Sequence, residues 1–273
     1  MSEKIVVVIT GCSSGIGLET AKYLRERFIK VYPTAREIAD VERLKSEYGF
    51  ENAMKLDVRK PDEISDVIES VLEQEGRIDV WFNNAGYGQM GAIEDLPTDA
   101  LREQFETNLF GLHECTRQIV PVMRRQGFGK IIQHSSVLGL VSLPWRGAYN
   151  ASKYAVEGLT DTLRLELDGS GIYPVLLNTG PIASRFRENA IKTLSRLDKN
   201  SSVHNDVYEK AIRGDSKSVP FKLEAKAVAA KVHLIIMSEK PAPRYYITSI
   251  SYIFGYLKRI LSTSLLDRML LKV

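Results

Sequence analysis

A tyrosine and a lysine four residues apart could carry out proton transfer. On a helix, Tyr149 and Lys153 would lie one above the other on the same face. A neighbouring cation favours the phenolate and lowers a pKa that is otherwise near 10, so Tyr149 could give or take a proton near neutral pH. Ser136 ends an apolar strand and could hydrogen-bond the same substrate oxygen. Such pairs also occur by chance on helices, so the surrounding elements decide the interpretation.

A strand, a glycine-rich turn and a helix open the chain. The run Ile5 to Ile9 is apolar, as expected of a parallel strand buried on both faces. It leads into the turn Thr10 to Gly17, and residues Leu18 to Phe28 follow with a helical pattern. Glycines allow the backbone to approach a ligand closely, and free N–H groups at a helix N-terminus suit a pyrophosphate. The segment therefore predicts a nucleotide site.

The end of the second strand bears on the choice of nucleotide. This strand, about Lys30 to Thr34, ends in Ala35-Arg36. An NAD site usually places a carboxylate here for the ribose 2′-hydroxyl, whereas small residues followed by an arginine suit a 2′-phosphate. We therefore expect Arg36 to favour NADP(H). The alternative is an exposed arginine that begins the next helix.

Polar residues also follow later strands. A third strand, Ala53 to Leu56, stops at Asp57-Val58, and a fourth, Ile78 to Phe82, runs into the stretch Asn83-Asn84-Ala85-Gly86. In open parallel sheets, ligands bind at the edge formed by the carboxyl ends of the strands. Both segments are therefore predicted to lie beside the nucleotide.

Asn108 lies inside a helix predicted from Thr98 to about Gln118. Asparagine is unfavourable within a helix because its side chain competes for backbone hydrogen bonds. Either Asn108 is exposed or bonded back to its own helix, or it marks a local helix distortion that serves an active site.

The alternation of strands and helices predicts an α/β fold with a doubly wound parallel sheet. One domain would cover residues 1–250, because such folds often exceed 200 residues. Residues 184–223 are charged and poorly periodic, and we interpret them as a mobile substrate lid with short helices. Residues 251–273 form a helical extension. The later predicted elements are a strand at Ile131–Ser135, a helix at Ala148–Leu167, a strand at Tyr173–Leu177, a helix at Glu224–Met237 and a strand at Tyr245–Thr248.

The amino-acid composition argues against several classes of protein. The 273 residues carry a net charge of +3, too small to indicate a nucleic-acid partner. Cys12 and Cys115 are too few for a disulfide framework or a zinc site, and free thiols fit a reducing compartment. The N-terminal apolar run is too short for a signal peptide, so a cytoplasmic location is expected. The four histidines lack ligand spacing, so we expect no metal and assign them to structural or surface positions.

These motifs together resemble the short-chain dehydrogenase/reductase family over about residues 4 to 250. The resemblance implies a Rossmann fold, NADP(H) as cofactor and a catalytic tetrad formed by Asn108, Ser136, Tyr149 and Lys153. The cofactor contacts that it implies are Gly11, Ser13, Ser14, Gly15, Ile16, Gly17, Arg36, Asp57, Val58, Asn84, Ala85, Gly86, Tyr149, Lys153, Pro181, Ile182 and Ser184. Two positions depart from the family pattern. The family often has Pro-Gly between the sixth strand and the lid, whereas this chain has Asn178-Thr179-Gly180-Pro181, without the first proline. Ser184 stands where the family usually has a threonine.

The resemblance also implies a mechanism and a substrate class. Tyr149 would be the general acid in carbonyl reduction, Ser136 would stabilise the oxygen, and Lys153 would hold the nicotinamide ribose. Asn108 would anchor a water in a proton relay. The branch most similar to this chain contains 17β-hydroxysteroid and retinol dehydrogenases and bacterial oxidoreductases, which implies an apolar carbonyl such as a long-chain aldehyde, retinoid or steroid. The alternatives are a 3-oxoacyl-carrier-protein reductase and a non-catalytic nucleotide-binding module.

The C-terminal region leaves two interpretations open. Residues 241 to 273 hold five basic residues and one acidic residue, with leucines at helical spacing from Leu257 to Leu271. The segment could pack on the substrate cleft or on a neighbouring subunit, since the family favours dimers and tetramers. Alternatively, it is a basic amphipathic helix that lies on a membrane surface. The uncharged stretch Tyr245 to Leu257 is too short to span a bilayer.

Overall fold

The main sheet is parallel throughout and has the order β3-β2-β1-β4-β5-β6-β9 in the computed structural model, which describes residues 5–214 and 222–272. Its strands are β1 (Val6–Ile9), β2 (Lys30–Ala35), β3 (Met54–Lys55), β4 (Val80–Asn83), β5 (Gly129–Ser136), β6 (Ile172–Thr179) and β9 (Arg244–Tyr246). A second ladder joins β7 (Ile182–Ala183) to β8 (Leu223–Glu224). The order reverses beside β1, as in doubly wound folds. The predicted fold class is confirmed.

Helices cover both faces of this sheet. They are α1 (Gly15–Arg25), α2 (Ile38–Ser46), α3 (Pro61–Glu75), α4 (Thr98–Phe105), α5 (Leu112–Gln126), α6 (Gly147–Glu166), α7 (Phe186–Lys192), α8 (Asn205–Arg213), α9 (Ala225–Met237), α10 (Ser249–Ile260) and α11 (Thr263–Leu270). The helix predicted to reach about Gln118 is longer. It continues through α5 and ends at Gly127, whose φ of 79° is the left-handed conformation that glycine adopts readily.

Two apolar layers sandwich the sheet, and β1 shows how the sequence divides between them. Val7 and Ile9 pack in the layer that contains α1, α2 and α9, whereas Val6 and Val8 pack in the layer that contains α3 and α5. Successive side chains of a strand point to opposite faces, so a strand covered on both sides must be apolar at every position. Polar residues end three neighbouring strands: Asn83 is the last residue of β4, Ser136 of β5 and Thr179 of β6.

The predicted lid contains regular structure. Helices α7 and α8 lie within it and carry their own apolar cluster, in which Leu194 and Tyr208 pack against Met90. The Tyr208 hydroxyl accepts from the Ala92 N–H at 2.8 Å and donates to Asp95 at 2.5 Å. The described part of the lid is therefore held against the segment that follows β4. Residues 215–221 of the predicted lid lie outside the described residues.

The C-terminal extension forms two helices where one was predicted. Helix α10 ends at Ile260, and α11 begins at Thr263 after a short break. Phe254 and Leu270 are buried against Val141, so both helices pack on the body of the protein. Within residues 5–214 and 222–272, none of the helices has the length and apolar character needed to cross a membrane.

Candidate active site

Ser136, Tyr149 and Lys153 come together at the carboxyl edge of the sheet. Ser136 is the last residue of β5, and Tyr149 lies in the first turn of α6, where its hydroxyl is hydrogen-bonded to the Ser136 side chain. The Lys153 Nζ lies 5.7 Å from the centre of the Tyr149 ring and donates to the backbone carbonyl of His134 at 2.6 Å. All three predicted residues are buried, with at most 9% of their surface exposed.

Burial dominates the ionisation of this cluster. It raises the pKa of Tyr149 to about 12, although the Ser136 hydrogen bond and the Arg146 cation act in the opposite direction. Burial lowers the pKa of Lys153 to about 8, and the Glu157 carboxylate opposes that change. The prediction that Lys153 brings the Tyr149 pKa below its usual value is therefore wrong in direction, because desolvation of the phenolate outweighs the nearby cations. At neutral pH, Tyr149 keeps its proton.

Asn108 occupies a π-helical turn, Glu106–Gly111, which joins α4 to α5. It is fully buried, and its Nδ2 donates to the Tyr87 carbonyl at 2.9 Å and to the Ser152 hydroxyl at 3.3 Å. Its Oδ1 accepts from the Tyr87 N–H at 3.1 Å, and a Cβ on Gly86 would approach that oxygen to 3.0 Å. The distorted-helix interpretation of Asn108 is confirmed, since π turns aim side chains that a regular helix would not. Ser152 links Asn108 to the helix that carries Tyr149.

The glycine turn after β1 is locked against the turn after β4. Gly11 has a φ of 70°, and a Cβ there would lie 2.8 Å from the Cα of Ala85. A Cβ on Gly17 would lie 2.4 Å from the Gly11 carbonyl oxygen and 2.6 Å from the Asn84 Nδ2. Asn84 holds the turn by donating to the carbonyls of Thr10 at 2.9 Å and Gly11 at 3.0 Å. No side chain larger than hydrogen fits at these two glycines, so the backbone forms a bare concave turn.

The N-terminus of α1 opens onto the same turn. Its N-cap, Ser14, makes no side-chain hydrogen bond to the helix, and Gly15 has a φ of 62°. The carbonyl of Ser13 accepts from Arg43 at 2.5 Å, while Ile16 packs against the core. First-turn N–H groups that no side chain caps, beside a turn that lacks Cβ atoms at Gly11 and Gly15, fit the pyrophosphate of a dinucleotide.

Arg36, Asp57 and Val58, the residues predicted to contact the adenosine half of the cofactor, have different environments. The Arg36 side chain is 59% exposed and pairs with Glu37 at 2.7 Å. Asp57 accepts two hydrogen bonds from the Arg59 Nε, at 2.9 and 3.2 Å, and the guanidinium holds the pKa of this carboxyl below its usual range. Val58 is buried in the core, so little of its side chain is open to a ligand. Arg36 is accessible at the end of β2, as both interpretations of it require.

The segment after β6 lies close to the glycine turn. The Pro181 carbonyl accepts from the Leu223 N–H at 3.1 Å, which anchors β7, the strand that includes Ile182, to β8. A Cβ on Gly15 would lie 3.3 Å from the Cβ of Ser184. The next residue but one from Ser184 is Phe186, whose ring meets that of Tyr149 edge-on with 5.3 Å between centroids. This segment therefore brings an apolar ring to the reacting edge of the sheet.

His134 is a site residue that sequence reasoning missed. The sequence analysis assigned it to a structural or surface position, but its imidazole lies between Asn84 and Thr179, at 3.1 and 3.2 Å. Its position two residues before Ser136 puts it on the same face of β5, which is the signal that could have identified it. The sequence analysis also missed Arg146, the N-cap of α6, whose cation acts to lower the pKa of Tyr149.

A buried carboxylate behind Lys153 was missed as well. Glu157 accepts from Asn178 at 2.7 Å, and it also bonds to Ser135 and to Arg244 from β9. Tyr149, Lys153 and Glu157 follow one another at intervals of four residues, so this spacing could have revealed that all three share one face of α6. The network ties α6 to β9, the last strand of the main sheet.

The fold and this set of side chains define an α/β protein with a dinucleotide-type glycine turn and a Ser–Tyr–Lys site. The model of the short chain dehydrogenases matches residues 5–195. The chain belongs to the short chain dehydrogenase family and is an oxidoreductase of that family.

Relatives and solved structures agree with this assignment. An uncharacterized oxidoreductase of Escherichia coli, YbbO, is 37% identical over 265 residues, which cover 97% of this chain and 93% of YbbO. Human 17-beta-hydroxysteroid dehydrogenase type 1 is 33% identical over 258 residues, which cover 90% of this chain and 78% of the human protein. A short-chain dehydrogenase from Streptomyces avermitilis superposes with a TM-score of 0.77 at 27% identity, covering 98% of this chain and 94% of that one. Serine dehydrogenase complexed with NADP+ shares the fold, with a TM-score of 0.77 at 23% identity over 90% of this chain and 96% of that one.

Proposed function

We propose that this protein is an NADP(H)-dependent oxidoreductase acting on CH–OH groups, which transfers hydride between the nicotinamide and an aldehyde or ketone, or the corresponding alcohol. The observation that carries the proposal is the meeting of Ser136, Tyr149 and Lys153 beside the glycine turn. The cofactor supplies the hydride when bound.

Tyr149 has the properties of a general acid for carbonyl reduction. Its raised pKa keeps the phenol protonated at neutral pH, so it has a proton to give to the oxygen as negative charge develops there. The Ser136 hydroxyl, which donates to the Thr179 carbonyl at 3.3 Å, would turn toward the same oxygen and stabilise it by a second hydrogen bond. Lys153, whose pKa is about 8, can return a proton to Tyr149 near neutral pH. Asn108 holds the adjacent turn of α6 through Ser152.

The residues around the glycine turn would hold the cofactor. Gly11, Gly15 and Gly17 leave the backbone accessible, and Asn84 fixes the shape of the turn. Arg36 is placed and exposed as a partner for a 2′-phosphate, since β2 ends without a carboxylate at Ala35. The NADP+ found in serine dehydrogenase, which has the same fold, supports this preference.

An apolar carbonyl compound, such as a long-chain aldehyde, retinoid or steroid, is the proposed substrate. The Phe186 ring against Tyr149 offers an apolar surface next to the reacting oxygen. The relation to a 17-beta-hydroxysteroid dehydrogenase supports a lipid-like substrate. The described residues of the predicted lid would close over such a substrate, and Phe186 is one of them.

The partners and location follow as further parts of the proposal. We propose a cytoplasmic homo-oligomer, a dimer or tetramer, with peripheral membrane contact through the C-terminal helices. The side chains of Ile253, Tyr256 and Ile260 are 48–76% exposed along α10, and Lys258 and Arg259 lie beside them. An exposed apolar stripe with basic neighbours suits the surface of an anionic bilayer.

NADPH oxidation with aliphatic aldehydes, retinal, a ketosteroid and a 3-oxoacyl thioester would test the function. Wild type and Tyr149→Phe are compared, with Tyr173→Phe as control, because Tyr173 lies at the far end of β6. We expect turnover with an apolar aldehyde or ketone that falls at least a hundredfold in Tyr149→Phe. Preference for the thioester would support the acyl-carrier-protein reductase alternative. NADPH binding without turnover on any compound would instead support the non-catalytic module.

A further inference from the structure

The His134 ring joins two strand ends that flank β5. It faces Asn84, which follows β4, and Thr179, the last residue of β6. The Phe82 ring packs against it with 5.9 Å between centroids. The side chain is partly exposed, so it lies at the border of the cleft rather than deep in the core.

The hydrogen bonds around the ring determine which nitrogen carries the proton. Both N–H bonds of the Asn84 amide are used, because Nδ2 donates to the carbonyls of Thr10 and Gly11. The atom that faces His134 is therefore the amide oxygen, which can only accept. Consequently, Nδ1 of His134 donates to Asn84 at 3.1 Å, and Nε2 accepts from the Thr179 hydroxyl at 3.2 Å.

The surroundings keep the imidazole neutral. Protein atoms enclose most of the ring, and the Lys153 ammonium donates to the backbone carbonyl of His134 at 2.6 Å. Burial and that cation together lower the pKa of His134 to about 3. A protonated ring would also require the Thr179 hydroxyl to reverse its bond and donate to the Ser135 carbonyl, 3.4 Å away, because Nε2 could no longer accept. One neutral tautomer is therefore present over the physiological pH range.

We propose that His134 is a positioning residue of the cofactor site, which as the Nδ1–H tautomer holds the Asn84 amide and the Thr179 hydroxyl in one hydrogen-bonded line. Asn84 in turn fixes the turn at Gly11, and Thr179 leads into Gly180-Pro181. One side chain thus couples the glycine turn, the turn after β4 and the segment after β6. The proposal rests on the proposed NADP(H) function.

An aliphatic residue here would break the line. It would leave the Asn84 oxygen without its His134 donor and the Thr179 hydroxyl with only the longer bond to the Ser135 carbonyl at 3.4 Å. The loss of a hydrogen-bond partner by a polar group inside the protein is unfavourable. Glutamine could replace both bonds, since its amide has one donor and one acceptor group. Comparing an aliphatic residue with glutamine at position 134 therefore separates the loss of hydrogen bonds from the effect of side-chain volume.

NADPH binding by titration calorimetry tests the proposal on wild type, His134→Leu, His134→Gln and Thr179→Val, with His233→Leu as a control whose ring packs near Tyr23. We expect the Kd of NADPH to rise about tenfold in His134→Leu and in Thr179→Val, to return most of the way in His134→Gln and to stay unchanged in the control. Melting temperatures show whether each variant is folded.

A second measurement needs no cofactor. In ¹⁵N-histidine NMR of the wild type, we expect one histidine to show the Nδ1–H tautomer and no titration between pH 5 and pH 9, and His134→Gln to remove that signal. An Nε2–H tautomer, or NADPH binding by His134→Leu equal to that of the wild type, would overturn the proposal. A wild type that binds no NADPH would overturn the proposed function and this proposal together.

Discussion

Replacing Lys153 by methionine should make the protein inactive but more stable at neutral pH. Lys153 is 5% exposed, and burial lowers its pKa from 10.5 to about 8. In the unfolded chain the ammonium is hydrated, whereas in the native state it is buried. The native state is therefore destabilised relative to the unfolded chain at every pH at which the lysine is charged. Below pH 8, this lowered pKa corresponds to a destabilisation of the native state by about 3 kcal/mol.

The sign of the pH dependence follows from proton binding. Between about pH 8 and pH 10.5, the unfolded state holds a proton on this lysine that the native state has lost, so the native state gains stability as the pH rises. Methionine has no such group. It also forfeits the hydrogen bond to the His134 carbonyl, about 1–2 kcal/mol. Lys153→Met should therefore gain about 1–2 kcal/mol at pH 7, and the gain should disappear by about pH 10.

Urea unfolding of wild type and Lys153→Met at a fixed protein concentration, in steps from pH 6 to pH 10, measures this difference. Lys22→Met is the matched control, because the Lys22 side chain is 39% exposed and only its ion pair with Glu19 is lost. A Lys153→Met protein that is less stable than wild type at pH 7, or a difference that stays constant up to pH 10, would refute the desolvation argument.

Two further substitutions test the cofactor site. Gly17→Ala should weaken NADPH binding at least tenfold by calorimetry, because its Cβ would lie 2.4 Å from the Gly11 carbonyl oxygen. Gly158→Ala on α6, where no atom lies within 4 Å of the added Cβ, should bind normally, and equal binding by both variants would contradict the packing argument. Arg36→Glu should raise the KM for NADPH about tenfold or more and leave that for NADH almost unchanged, measured by steady-state kinetics. An equal change for both cofactors would mean that Arg36 does not contact a 2′-phosphate.

Local sequence patterns were sufficient to predict most of the strands and helices of the fold. The apolar run before Thr10 identified β1, because a parallel strand covered on both faces needs apolar residues at every position. Local residues also account for the bounds of α3, since Pro61 suits a first turn and Gly76 adopts the left-handed conformation that ends a helix. The π turn around Asn108 was foreseen only as one of two interpretations, and burial of that side chain decides between them.

The sequence by itself therefore determined the parallel sheet, the glycine turn and the set Ser136, Tyr149 and Lys153, because these depend on residues close together in the chain. Only the tertiary structure decided the direction of the Tyr149 pKa shift and the hydrogen-bond partners of His134. Desolvation depends on every element packed around a group, and the partners of His134 lie 50 and 45 residues away in sequence. Spacing along the chain shows which residues share a face, whereas charge and hydrogen bonding depend on what the fold brings against that face.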